Sequence, residues 1–168
     1  NWSSSGAATC TRCLPGTHLP ASDLPTDHDS VDDCLNCDMG TYSETGAAEC
    51  TVCPSGSYNT NNDASRETHA LVASCTSCAP GTHLSDNGTL ATEHYYAGQC
   101  LLCQSGQYAP ERAAFCPLCP LGTYSPGTGV AECVSCAPGT STNNSQGASI
   151  CTTCEAGSAA PVAAFNCT

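Results

Sequence analysis

Pairs of cysteines separated by two residues are the groups in this sequence whose type and spacing could do chemistry. Eight Cys-x-x-Cys units occur, and a glycine always stands three residues after the second cysteine. Two thiols at this spacing can form disulfides, supply half of a tetrahedral Cys₄ zinc site, or take part in thiol–disulfide exchange. The seventeenth cysteine, Cys167, is interpreted as the first cysteine of a ninth unit. Deciding among disulfides, zinc sites and thiol–disulfide exchange therefore decides the class of protein.

Disulfides are the chemistry that the rest of the composition favours. Zinc-ribbon chains usually carry many basic residues, whereas this chain has no lysine, three arginines and a formal net charge of −12. A redox motif normally follows a strand and opens a helix, and the one suggestive unit, Cys116-Pro-Leu-Cys119, lacks that context. Asn-x-Ser/Thr sequons fall in the loops, where an extracellular protein carries N-glycans, at Asn1, Asn87, Asn143 and Asn166. We therefore predict an extracellular or cell-surface protein of the secretory pathway without a bound metal or cofactor.

Composition also limits the core and the partners. Aromatic residues make up only 5 % of the 168 residues, which is too little large apolar material for one packed core. Crosslinks must then supply stability, at roughly 3 kcal/mol for each closed loop of about 15 residues. The acidic surface disfavours nucleic acids and anionic lipids, which bind basic proteins. No apolar run reaches the roughly 20 residues of a membrane helix, so we expect no membrane span in this segment.

The spacing of the cysteine units divides the chain into tandem repeats. Between one unit and the next, five loops have 12 to 14 residues and three have 20 or 21, namely 14–33, 54–74 and 79–99. The expected repeats are 10–33, 34–49, 50–74, 75–99, 100–115, 116–132, 133–150 and 151–166, with the end of an upstream repeat at 1–9 and the start of a further one at 167–168. The predicted fold is small and disulfide-rich. It is an elongated, solenoid-like array, mostly loops, with short two-stranded β pieces and little or no helix.

Each loop begins with a turn glycine, and a ring follows two residues later in six repeats. The rings are His18, Tyr42, Tyr58, His83, Tyr108 and Tyr124, whereas Ser141 and Ala159 stand at this position in the last two repeats. A glycine can take the positive φ of a type II turn, and the following residues then enter an extended segment. We expect each ring to pack across a disulfide, which has little else to cover it.

Two disulfide connectivities fit the spacing. In the sequential one, the second cysteine of each unit pairs with the first cysteine of the next unit, and only Cys10 is left for an upstream partner. Its pairs are Cys13–Cys34, Cys37–Cys50, Cys53–Cys75, Cys78–Cys100, Cys103–Cys116, Cys119–Cys133, Cys136–Cys151 and Cys154–Cys167. In the other connectivity, the first cysteine of a unit pairs with the first cysteine of the neighbouring unit, and the second cysteine pairs with the second. Cys167 is then left without a partner. Sequence alone does not decide between them, but we favour the sequential pairing because it closes each loop into one ring.

The three long loops contain all five histidines and nine of the fifteen acidic residues. The densest acidic stretch holds Asp23, Asp27, Asp29, Asp32 and Asp33. Oxygen ligands suit Ca²⁺, but the EF-hand spacing is not met, so we expect a solvated loop with weak Ca²⁺ binding at most. His28 beside these carboxylates has the elements of a general base, but no nucleophile signature accompanies it. We therefore expect no enzymatic activity.

The assembled pattern resembles a known extracellular repeat. The stretch CPLCPLGTYSPGTGVAECVSCAPGTSTNNSQGASICTTC is similar to the ephrin-receptor-like cysteine-rich repeat, and the cysteine-rich modules of tumour-necrosis-factor receptors look similar. Related arrays occur in the immobilisation antigens of ciliates and in mastigonemes, the glycoprotein filaments of flagella. The resemblance covers the chain from Cys10 onward. It implies an elongated, disulfide-laddered extracellular array, supports the sequential pairing, and carries no catalytic residue.

Two functions follow from this pattern as hypotheses. In the first, the chain is a structural segment of a surface glycoprotein that forms a rod, filament or coat. It would self-associate or bind other surface glycoproteins, and it would carry N-linked and O-linked glycans. In the alternative, it is the ectodomain of a receptor-like or adhesion protein. The long loops would then recognise the partner, since we expect them to project from the scaffold.

Overall fold

The computed structural model describes residues 3, 11–22, 25–61 and 65–168, and of residues 25 and 27 it describes the backbone alone. The chain divides into two compact units. Unit 1 comprises residues 1–77 and 86–99, and unit 2 comprises residues 78–85 and 100–168. The long loop 79–99 is thus shared, because its first residues belong to unit 2 and the remainder to unit 1. Cys10, expected to pair upstream, lies outside the described residues.

Two-stranded antiparallel sheets are the main regular structure of the described residues, and each strand has two residues. The pairs are β1 (Thr17–His18) with β2 (Leu35–Asn36), β3 (Thr41–Tyr42) with β4 (Thr51–Val52), β5 (Ser57–Tyr58) with β6 (Thr76–Ser77), β7 (Thr82–His83) with β8 (Leu101–Leu102), β9 (Thr123–Tyr124) with β10 (Val134–Ser135), and β11 (Thr140–Ser141) with β12 (Thr152–Thr153). In every pair, the first strand follows a turn glycine. The second strand is the dipeptide between the two cysteines of the next unit, so the Cys-x-x-Cys motif itself closes the preceding loop.

Eight disulfides crosslink the described residues, and they have the sequential connectivity. They join Cys13–Cys34, Cys37–Cys50, Cys53–Cys75, Cys78–Cys100, Cys103–Cys116, Cys119–Cys133, Cys136–Cys151 and Cys154–Cys167. The bonds close loops with sequence separations of 13 to 22 residues. The second cysteines of the first seven units are deeply buried, and Cys53, Cys78, Cys119 and Cys136 among them have no exposed surface. Disulfide sulfur thus occupies the interior positions that large apolar side chains fill in other proteins.

Helical structure in the described residues is limited to short 3₁₀ turns in the three long loops. These are Pro25–His28 and Val31–Asp33, Arg66–His69 and Val72–Ser74, and Ala91–Glu93 and Ala97–Gln99. Each long loop therefore differs from a short one by two such turns. The predicted fold class, a small disulfide-rich tandem array of loops and two-stranded sheets, is confirmed.

Backbone hydrogen bonds join each repeat to the next one inside both units. The N–H of the turn glycine Gly106 donates to the carbonyl oxygen of Ser125 at 3.0 Å, and the N–H of Cys119 donates to the Gly106 carbonyl at 2.9 Å. The same two bonds form at Gly16, Gly40, Gly81 and Gly139. Because both polar groups of these five glycines are used between repeats, each of these turns is held by its neighbour as well as by its own disulfide.

Five of the turn glycines also lie against the repeat two places further along the chain. Gly106 has a φ of +80°, and a Cβ placed on it would lie 2.1 Å from the carbonyl oxygen of Gly147. A carbonyl oxygen lies 1.8 to 2.4 Å from such a Cβ at Gly16, Gly40, Gly81 and Gly122 as well. Gly139 has a similar φ of +78° but no atom within 4 Å, and the sequence contains no complete repeat two places beyond its own. The glycine is therefore required both by the turn and by this close approach.

Candidate functional site

In three repeats, the side chain two residues after the turn glycine contacts the disulfide of the following repeat. In unit 1, Nδ1 of His18 lies 3.1 Å from Sγ of Cys50, and in unit 2, Nδ1 of His83 lies 3.0 Å from Sγ of Cys116. The hydroxyl of Ser141 makes the corresponding contact with Sγ of Cys167 at 3.3 Å. The expected contact between a ring and a disulfide is thus present at both histidines, and the disulfide involved belongs to the next repeat.

These contacts create two clusters of potential ligand atoms. His18 with Cys37 and Cys50, and His83 with Cys103 and Cys116, each bring one nitrogen and two sulfurs within 4.8 Å of one another. In both clusters the two sulfurs are bonded to each other as a disulfide. A disulfide offers no thiolate, which is the form of cysteine that binds zinc. In the oxidised protein these atoms are therefore grouped as in a metal site, but the two sulfurs of each cluster cannot bind a metal ion as thiolates.

The long loop 54–74 is anchored by a buried histidine. His69 has no exposed surface, and its carbonyl oxygen accepts from the N–H of Ser43 at 2.9 Å. Its Nδ1 lies 2.8 Å from the carbonyl oxygen of Thr41, so this nitrogen must be the donor. Ser43 and Thr41 belong to the preceding repeat. The middle of this loop is therefore folded back on the scaffold, although we expected the long loops to project.

A second buried histidine anchors the loop 79–99 in the same way. His94 has no exposed surface, its carbonyl oxygen accepts from the N–H of Asn59 at 2.8 Å, and its Nδ1 lies 2.7 Å from the Ser57 carbonyl. Its Nε2 lies 2.9 Å from Oδ2 of Asp86. Both partners are acceptors, so both ring nitrogens must donate. With both ring nitrogens protonated, His94 forms an ion pair with the Asp86 carboxylate.

Asp86 is held in its charged form by its own turn. The hydroxyl of Thr89 donates to Oδ1 at 2.6 Å, and the N–H groups of Thr89 and Leu90 donate to Oδ2 at 2.9 and 3.2 Å. These hydrogen bonds, led by the Thr89 hydroxyl and joined by His94, hold the pKa of Asp86 well below its ordinary value. The turn thus fixes the orientation of the carboxylate that contacts His94.

We expect Asp86→Asn to remove a stabilisation that depends on pH. A carboxyl with a lowered folded-state pKa stabilises the fold above its unfolded pKa of about 3.9, and this contribution is lost as the pH falls through the folded value. The stability difference between wild type and Asp86→Asn should therefore be largest near neutral pH and shrink below about pH 4. Denaturant unfolding of the disulfide-intact protein at several pH values measures this. Glu111→Gln, at an exposed position, serves as the control. A difference that stays constant across this range would contradict the assignment.

The spacing between histidine and cysteine in the sequence contains a signal for these buried histidines. In every long loop a histidine stands six residues before the next cysteine, at His28, His69 and His94. His28 also has the corresponding backbone role, since its carbonyl oxygen accepts from the N–H of Ser3 at 2.8 Å. A shared spacing of this kind indicates a shared structural position. The ion pair with Asp86 has no such signal, because the other two long loops have no carboxylate at the corresponding position, eight residues before the histidine.

The acidic stretch in the first long loop has a structural role at Asp33. Its Oδ2 accepts from the N–H groups of Asp29 and Ser30 at 3.0 and 2.8 Å. The Ser30 hydroxyl in turn accepts from the N–H of Asp32 at 3.2 Å, which completes a capping box on the turn Val31–Asp33. Asp23 and the side chain of Asp27 lie outside the described residues. One carboxylate of the predicted weak Ca²⁺ loop therefore caps a turn.

The predicted glycosylation sites that the structure describes are accessible. Asn87, Asn143 and Asn166 are exposed, and Asn1 lies outside the described residues. Asn143 has a left-handed φ of 49°, and its side-chain oxygen accepts from the Ser141 hydroxyl at 3.2 Å. All three exposed asparagines lie in loops, where a glycan can be attached without displacing packed groups.

Comparison with known proteins adds no family, since no protein-family model and no curated protein matches the sequence. Among the described residues, no helix has the length and apolar character needed to cross a membrane. Eight disulfides among the described residues are typical of proteins from oxidising compartments, and they are consistent with an extracellular structural or ectodomain-like segment.

Proposed function

We propose that this chain is a structural segment of an extracellular surface glycoprotein that builds a rod, filament or coat. The observation that supports this most is the way the repeats hold one another. Six of the eight turn glycines form backbone hydrogen bonds to the next repeat, and five of these six also lie against a carbonyl two repeats away. Stability in such an array is distributed along the chain rather than placed in one core. The resemblance to ephrin-receptor-like repeats, and to the arrays of mastigonemes and immobilisation antigens, agrees with this proposal.

Exposed apolar side chains support association with further copies or with other surface glycoproteins. Phe115 and Ile150, each directly before a cysteine, are 67 % and 63 % exposed, and Phe165 is 55 % exposed. Large apolar groups left in water are typical of surfaces that become covered in an assembly. Asn87, Asn143 and Asn166 would carry N-linked glycans on the same protein, and exposed serines and threonines would carry O-linked ones.

Sedimentation velocity over a concentration series, with and without Ca²⁺, tests the structural proposal. We expect larger species at high concentration, and we expect the double variant Phe115→Ser/Ile150→Ser to shift them toward the monomer. A matched pair of exposed leucines in the long loops, Leu71→Ser/Leu90→Ser, should leave the association unchanged. A wild-type protein that remains monomeric at every concentration, with Ca²⁺ present, would overturn the proposal.

A second candidate function, recognition of a partner through a long loop, has one observation in its favour. Tyr95 and Tyr96 follow the buried His94, their ring centroids are 4.9 Å apart, and they are 38 % and 46 % exposed. Exposed tyrosines on a fixed loop are typical of binding surfaces. Tyr95→Ser/Tyr96→Ser would abolish adhesion to cells or to immobilised glycans under this hypothesis. Undiminished adhesion of that variant would exclude it.

A further inference from the structure

We propose that His18, Cys37 and Cys50 form a redox-gated site for a divalent d¹⁰ metal ion such as Zn²⁺. The site is closed while the Cys37–Cys50 disulfide is intact, and a thiol reductant opens it. His83, Cys103 and Cys116 form a second, weaker site of the same kind.

The geometry of the first cluster carries the proposal. Nδ1 of His18 and the two sulfurs lie within 4.8 Å of one another, and Nδ1 is 3.1 Å from Sγ of Cys50. Ligands at about 2.3 Å for sulfur and 2.0 Å for nitrogen around one tetrahedral zinc ion lie roughly 3.5–3.8 Å apart. Opening the disulfide therefore needs only a small separation of the sulfurs to reach that arrangement. The fourth position would remain for water or another oxygen ligand.

Access to the disulfide comes from a cleft. Cys50 is partly exposed, and it lines a cleft of about 490 Å³ together with His18, Asp38 and Glu49. Cys37 is only 3 % exposed and lies behind it. A small thiol can therefore reach the sulfur of Cys50, and the two carboxylates at the same cleft favour a cation once the disulfide has opened.

The chemistry of opening is a two-electron reduction followed by metal binding. A thiolate attacks Sγ of Cys50, the S–S bond breaks, and Cys37 leaves with the bonding electron pair and takes up a proton. A second thiolate then breaks the mixed disulfide and releases Cys50, so two reductant thiols have become one disulfide. Zn²⁺ replaces the protons of the two cysteine thiols, and the His18 imidazole binds through its Nδ1 lone pair.

The second cluster differs from the first in one hydrogen bond of its histidine. Nδ1 of His83 lies 3.1 Å from the carbonyl oxygen of Leu101, so it must carry its proton there. The proton has to move to Nε2 before Nδ1 can bind a metal, and the hydrogen bond to Leu101 is lost. No described hydrogen bond holds Nδ1 of His18 except its contact with Cys50. We therefore infer tighter binding at His18.

The site also distinguishes these two repeats from the others. Four repeats carry tyrosine where His18 and His83 stand, at Tyr42, Tyr58, Tyr108 and Tyr124. Tyr124 makes the same backbone bridge, to Ala148, that His18 makes to Ala47. His18→Tyr is therefore a substitution that the fold already accommodates elsewhere, and Tyr124→His should place an imidazole beside Cys136–Cys151.

Zinc-linked disulfide opening tests the proposal. The folded protein is equilibrated in a redox buffer of glutathione and glutathione disulfide, with and without Zn²⁺, and the free thiols are alkylated and mapped by mass spectrometry. Because a ligand that binds only the open form raises its population by 1 + [Zn²⁺]/Kd, we expect saturating Zn²⁺ to increase opening of Cys37–Cys50 by at least about tenfold. Cys53–Cys75, which follows a tyrosine repeat, should change little.

Two variants test whether the histidine is responsible for the zinc response. His18→Tyr should remove the zinc response at Cys37–Cys50 while its disulfide map without zinc matches wild type, and Tyr124→His should add a response at Cys136–Cys151. No zinc response, an unchanged response in His18→Tyr, or an equal response of all eight bonds would each overturn the proposal. The last outcome would indicate binding by Cys-x-x-Cys thiols alone. If His18→Tyr does not reach the wild-type disulfide map, the presence or absence of the new response in Tyr124→His decides instead.

Discussion

Gly106→Ala will destabilise unit 2 by about 3–5 kcal/mol, whereas Gly139→Ala will cost only about 1 kcal/mol. The two glycines have nearly the same φ, +80° and +78°. Both substitutions therefore impose the same penalty on the left-handed backbone. Only at Gly106 would the new methyl group lie 2.1 Å from the carbonyl oxygen of Gly147. A backbone oxygen cannot rotate away as a side chain can, so the repeats must separate.

Denaturant unfolding with all disulfides intact, followed by hydrogen exchange of the backbone amides of unit 2, measures both variants. Gly139→Ala is the matched control, because it isolates the backbone penalty. Hydrogen exchange at Cys119 adds a local measurement, since its N–H bonds to the Gly106 carbonyl. Equal losses in the two variants would show that the approach of the Gly147 carbonyl does not determine the choice of glycine.

His94→Ala will destabilise unit 1 by about 3–5 kcal/mol. The substitution leaves the Asp86 carboxylate without its cation and the Ser57 carbonyl without its donor. It also leaves a cavity where a fully buried ring stood. His28→Ala is the matched control, because His28 has the same spacing to its next cysteine but is partly exposed and forms no described ion pair. We expect this control to cost about 1 kcal/mol.

A double-mutant cycle separates the ion pair from the loss of packing. In the Asp86→Asn background, His94→Ala should cost at least about 1 kcal/mol less than in wild type, because the partner charge is already absent. Unfolding curves of the four proteins at neutral pH supply this comparison. Additive losses would mean that His94 stabilises the loop through packing and the bond to Ser57 alone.

The repeat organisation could be predicted from the sequence because its determinants are local. A glycine three residues after each Cys-x-x-Cys unit predicts a turn, and the strands on either side of it have only two residues. The sequential disulfides could be favoured but not established, since both connectivities satisfy the same spacings. In the structure, the two residues between the cysteines of each Cys-x-x-Cys unit form the strand that pairs with the residues after the preceding turn glycine. This pairing brings the second cysteine of one unit next to the first cysteine of the following unit.

The behaviour of the long loops was the least predictable feature. Their length and polarity indicated projecting segments, but His69 and His94 are buried against the preceding repeat. Each histidine contributes a backbone carbonyl and a ring nitrogen to partners that lie 26 to 37 residues away in sequence. The equal spacing of these histidines to the next cysteine was visible in the sequence. Their burial was not, because a polar ring is buried only where another repeat supplies its hydrogen-bond partners.

The sequence by itself determined the properties that depend on neighbouring residues: the turn at each glycine and the short extended segments beside it. Only the tertiary structure decided which groups meet across repeats. Stacking places the carbonyl of Gly147 on Gly106, pairs His94 with Asp86, and turns His18 toward the Cys37–Cys50 disulfide. Hydrogen bonds and steric contacts act over a few ångströms, and the register between stacked repeats, not spacing along the chain, brings these atoms within that range.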